Sequence, residues 1–130
     1  MFELTINNQV YGFNFGMGFM RKINQALKQP VDGLKNVDQN VGLRYKIACL
    51  MDGDVEALVE ILDAANANQD PRVTRKLLDD YIDNPETDLD ELFDSVIDFL
   101  RKTNATKKTV AQLDEAAAKQ KEKEAAAAAK

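Results

Sequence analysis

The chain has 130 residues, 45% of them hydrophobic and 30% charged, with a formal net charge of −5 and no histidine. That length and balance suit one globular domain with a real core and exclude a wholly disordered chain. Without histidine there is no Ser-His-Asp or Cys-His arrangement and no histidine-ligated zinc, so any catalysis would fall to perturbed carboxylates.

No apolar run approaches the length that spans a bilayer, and the N-terminus lacks the basic-then-apolar layout of a signal peptide. The single cysteine, Cys49, excludes an internal disulfide and fits a reducing compartment. Asn104-Ala105-Thr106 has the form of a glycosylation acceptor, which without a secretion signal reads as chance. Charge is uneven along the chain: +2 over 1–30, −9 over 31–104 and +2 over 105–130. A body this acidic repels a phosphate backbone, so nucleic acid is not an expected partner.

Phe2–Ile6 and Tyr11–Phe15 each alternate apolar and polar residues around Asn7-Asn8-Gln9, and asparagine tolerates the positive φ of a tight turn. This predicts a β-hairpin with Phe2, Leu4 and Ile6 opposite Tyr11, Phe13 and Phe15 on one apolar face. An isolated hairpin is marginal in water, so that face needs a helical lid. Met20, Ile23 and Leu27 fall at helical spacing and Pro30 ends the run, which makes this segment the expected lid. Residues 31–37 read as a loop with at most one short strand.

Four helices follow. The first spans about 38–51, with Val41, Tyr45 and Ala48 on one stripe, Leu43, Ile47 and Leu50 beside it, and Gly53 as the stop. Asp54 caps the second, whose stripe is Val55, Leu58, Val59 and Leu62. Asp70-Pro71 opens the third, with acid as N-cap and proline at the first helical position. Val73, Leu77, Leu78, Tyr81 and Ile82 line it, and Pro85 closes it. Asp88-Leu-Asp-Glu91 caps the fourth, which carries Leu89, Leu92, Phe93, Val96 and Leu100.

Residues 105–130 have no large apolar side chain beyond Leu113, and Glu115-Ala-Ala-Ala-Lys119 is a spacer motif. A solvated helical or disordered Ala/Lys-rich tail is expected there, clear of the core. The fold class is therefore α+β, predominantly α. A domain over 1–104 holds an N-terminal hairpin on a bundle of about five helices, and a tail covers 105–130.

Three features invite chemical readings. Gly16-Met-Gly18 sits between a strand and a helix, where a phosphate loop would sit, but lacks the third glycine of the dinucleotide fingerprint and any Gly-Lys-Ser/Thr. The glycines read as a sharp strand-to-helix turn. Residues 79–98 hold nine acids and no base. Proline and leucine interrupt that run and no EF-hand glycine exists, so it reads as caps plus a solvated acidic face open to a basic partner. Cys49, between aliphatic neighbours, reads as a small buried hydrophobe. No cofactor and no metal are expected.

The stretch Phe13–Ile23 is rich in phenylalanine and methionine, the combination that gives adaptable apolar surface. Phe13, Phe15, Met17, Phe19 and Met20 are thus the candidates for a surface that takes hydrophobic segments of another chain or of a second copy. Phe13 and Phe15 also suit the core.

The ordered succession FELTINNQVYGFNF, FGMGFMRKIN, LMDGDVEALVEILDAAN, PRVTRKLLDDYID, DLDELFDSVIDFLRK and TNATKK resembles the tail assembly chaperones of long-tailed (siphovirus-type) phages of Gram-positive bacteria, over roughly residues 1–108. The resemblance implies a small non-enzymatic protein of the host cytoplasm. Such a protein binds the tape measure protein and keeps it soluble without ATP until the tail tube forms, and is absent from the mature virion. It further implies many copies, as a homo-oligomer or spiral assembly, and a frameshifted longer form that engages the tail tube protein. Two other readings remain open on the residues alone. One is an acidic regulatory or DNA-mimic protein that binds a basic partner, and the other is a structural tail component.

Overall fold

A computed structural model describes residues 1–26 and 41–128. Leu27, Pro30, the 31–37 segment and the expected helix start at Asp38 lie outside the described residues. The elements run β1 (Phe2–Ile6), β2 (Gln9–Phe13), α1 (Met17–Ala26), α2 (Val41–Met51), α3 (Val55–Asn66), α4 (Arg75–Asp83), α5 (Leu89–Lys102) and α6 (Lys107–Ala128). This is the α+β, mainly helical fold with an N-terminal hairpin that the alternation and the caps predict.

β1 and β2 pair antiparallel with Phe2 opposite Phe13, Leu4 opposite Tyr11 and Ile6 opposite Gln9. Asn7 and Asn8 have φ of 52° and 66°. Two consecutive left-handed residues make the two-residue turn whose twist matches that of the strands. The turn takes two residues and not three, so β2 starts at Gln9 and Phe15 lies past its end. Phe15 is nevertheless buried. Its ring meets Phe19 edge-on at 5.3 Å, and Phe2 bridges to Phe99 of α5 at 5.5 Å. The main helical neighbour of the hairpin is α3, whereas α1 packs on α2 and α3. The expected α1 lid is thus in fact supplied by α3.

α3 is the central helix. Asp54 caps it by accepting from the backbone N–H groups of Glu56 and Ala57, and Ala57, Leu58, Ile61 and Leu62 are buried. Val55, expected in that stripe, is exposed. α2 ends as its glycine predicts. Gly53, at φ 85°, donates to the Leu50 carbonyl while Asp54 donates to that of Cys49, the pair of bonds that closes a Schellman cap. Leu43, Ile47 and Leu50 of α2 are fully buried, but Tyr45 is 58% exposed. At 100° per residue Tyr45 and Ala48, expected in a stripe with Val41, lie nearly opposite the buried one, not beside it. Cys49 is only half-buried.

α4 begins later than proline suggests. Its N-cap is Thr74, which accepts from the Leu77 N–H, and Asp70-Pro71 forms a cis bond upstream. The reason is Asn66, buried at the end of α3. Its Oδ1 accepts from the Val73 N–H at 2.6 Å and from Arg72 at 3.0 Å, and its Nδ2 donates to the carbonyls of Gly12 and Pro71. Residues 71–73 are held against α3 and cannot wind into a helix. α4 ends at Asp83 just before Pro85, and Asp88 caps α5 by accepting from the Glu91 N–H.

α6 departs from the expected solvated tail. Thr106 and Val110 are fully buried and Leu113 packs against the core. The Thr106 hydroxyl donates to the Leu100 carbonyl. Arg101 holds Asp114 with two bonds of 3.1 Å, which raise the guanidinium pKa above its ordinary value. Two small apolar side chains and one threonine suffice to dock the first two turns on α5 and α2. Composition averaged over the whole segment hides them.

Candidate functional site

Of the five candidate residues, Phe13, Phe15 and Phe19 are at most 3% exposed. They do not form a surface. The hairpin and α3 enclose Phe13, and the aromatic cluster of Phe2, Phe15, Phe19 and Phe99 encloses the other two. A helix that starts at Met17 turns Phe19 and Ile23 inward, four residues apart, and this leaves Met17 outward. Met17 is 47% exposed and Met20 is partly buried on the flank. The Gly16-Met-Gly18 turn is built by Asn14, whose side chain accepts from the Gly16 N–H while its own N–H donates to the Ala65 carbonyl.

Sequence reasoning missed a second apolar strip. Leu89, Phe93 and Ile97 of α5 are only partly buried, whereas Leu92, Val96 and Leu100 seal the core. Their i, i+4, i+8 spacing sets the first three in one line along the helix. Asp90, Asp94 and Asp98 run beside that line, each one residue on, and all three are exposed. The signal was present in the sequence: a stripe five residues wide exceeds what one core contact covers. On α4, Leu77 and Tyr81 are half-buried in the same way.

The polar surface offers little chemistry. Among the described residues no group of three or more acidic or cysteine side chains could hold a metal ion, and no helix is long and apolar enough to cross a membrane. Several cations among the described residues are held in ion pairs. Lys46 pairs with Glu60, Arg72 and Arg75 share Asp63, and Lys102 pairs with Asp98. No buried side-chain nitrogen or oxygen among the described residues lacks a hydrogen-bond partner.

The sequence pattern of the family described as phage tail assembly chaperone protein, TAC, matches residues 3–115. The chain belongs to that family. No curated protein and no solved structure matches it. The matched span ends two residues past Leu113, the last of the described α6 side chains packed on the core. The match therefore covers the packed body of this chain, including the first turns of α6.

Proposed function

We propose that this tail assembly chaperone keeps a phage tape measure protein soluble while the tail tube polymerises, by passive, nucleotide-independent holding in the host cytoplasm. Family membership over residues 3–115 is the observation that carries this reading. The surface is compatible with it. Met17, Met20 and the Leu89–Phe93–Ile97 strip offer exposed and half-exposed apolar contact on two helices, set in an acidic exterior. At about 25 cal/mol per Å², a few hundred Å² of apolar burial per copy gives several kcal/mol gross, much of it offset by the entropy of association. Each contact is then weak, and several copies along one client supply the hold. Weak contacts also let tube subunits displace the chaperone. It acts without covalent chemistry, serves a siphovirus of a Gram-positive host, and is left out of the finished virion. A longer frameshifted form would carry the contact to the tube protein.

Co-expression with the tape measure protein of the same phage tests this. The tape measure should move from the pellet to the soluble fraction, and an unchanged pellet rejects holding. Mass spectrometry of purified virions should find no chaperone. Finding it at stoichiometric level would favour a structural tail component instead.

A further inference from the structure

The two edges of the hairpin are not alike. Ile6 and Gln9 flank the two-residue turn and form its closing hydrogen-bonded pair, so Leu4 with Tyr11 and Phe2 with Phe13 bond likewise. The backbone groups of the residues between them point outward: Glu3 and Thr5 on β1, Val10 and Gly12 on β2. On β2 the end of that edge away from the turn is taken up by α3, while the Val10 carbonyl accepts from the Gln9 side chain. The Gly12 carbonyl accepts from Asn66, and Asn14, next in the same phase, donates to the Ala65 carbonyl. On β1 the outward groups of Glu3 and Thr5 have no partner among the described residues. Tyr11 and Phe13 on β2 are buried; on β1 Ile6 is buried and Phe2 and Leu4 are half-covered.

We propose that β1 pairs antiparallel with β1 of a second copy, about a two-fold axis at Leu4, to make one four-stranded sheet. β1 is self-complementary in this register. With the axis at Leu4, Glu3 of each copy lies opposite Thr5 of the other, and these are the residues whose N–H and C=O groups point outward. Each such pair exchanges two bonds, four in all. Leu4 meets Leu4 across the axis and Phe2 faces Ile6, on the side where the two sheets continue the apolar face. Moving the axis to Glu3 would set two carboxylates face to face, which disfavours that register. An axis at Thr5 would pair Glu3 with Asn7, whose φ of 52° is not strand geometry. Charge and turn together leave one register.

A pair of five-residue strands covers well under the roughly 800 Å² per partner of a stable dimer, so the contact is weak and concentration-dependent. Being isologous it closes at two, and a longer array needs another contact in addition. It is read in the purified protein alone, so its failure and the failure of client holding are separable.

Sedimentation velocity from about 10 μM to about 1 mM should show a monomer–dimer equilibrium. Thr5 is exposed on the outer face. Thr5→Lys sets two Lys–Glu pairs across the axis and should tighten the dimer about tenfold, and Thr5→Glu sets two like-charge pairs and should weaken it by a similar factor. Thr5→Pro removes an outward donor without breaking a bond to β2 and should abolish the dimer with the circular dichroism spectrum retained. A monomer at every concentration overturns the pairing. So does a dimer indifferent to Thr5→Lys and Thr5→Glu, and so does amide protection at Glu3 and Thr5 that appears only once a tape measure fragment is added.

Discussion

Asn66 shows how one polar side chain can join three segments. It ties the end of α3 to β2 through Gly12 and to the bend through Pro71 and Val73. Asn66→Ala would strand the buried Val73 N–H and the Gly12 carbonyl, at about 2–4 kcal/mol. Urea unfolding should show a lower midpoint with an unchanged slope. Gly53→Ala should cost about 1 kcal/mol, because φ of 85° strains any residue with a Cβ. Met17→Ser, at an exposed position, should leave stability within about 0.5 kcal/mol and reduce client holding. The roles of Gly53, Asp54 and Asp88 were legible in the sequence, because caps and stops are local chemistry. That of Asn66 was not, since Asn68 and the neighbouring polar residues look the same. Its one signal is phase: it lies four and eight residues past Leu62 and Leu58, on the buried face of α3.

At the scale of elements, the hairpin was legible because alternation and paired asparagines act over a few residues. Which helix covers it was not, because α1 and α3 both offer an apolar stripe and only tertiary packing chooses between them. α2 shows the same limit, with two apolar stripes at equal spacing on opposite faces. α6 makes the strongest element-level prediction. Deletion of residues 116–130, of which 116–121 are exposed, should shift the midpoint of thermal unfolding by no more than about 2 °C. Deletion of 104–130 uncovers Leu100 and removes Thr106, Val110 and Leu113 from the packing. It should cost more than about 3 kcal/mol, or yield insoluble protein. Equal stability of the two truncations would mean that α6 is not part of the folded body.

For the whole molecule, the fold absorbs nearly all of the phenylalanine that made the N-terminal stretch look adhesive. Among the described residues Val10, Tyr45 and Val55 are exposed singly, and the fold also leaves outside Met17 on α1 and the half-covered strip on α5. That remainder, bordered by Asp90, Asp94 and Asp98, suits contact with an apolar chain while acidic charge keeps the chaperone itself dispersed. The same acids would serve a protein that captures a basic partner, and ionic strength separates the two. The most direct measurement is light scattering of a tape measure fragment diluted from denaturant, with and without the chaperone, at low salt and at about 1 M salt, where the Debye length falls to about 3 Å. Holding through apolar contact predicts suppressed scattering that persists at high salt. Suppression that vanishes at high salt, or none at either condition, would contradict it.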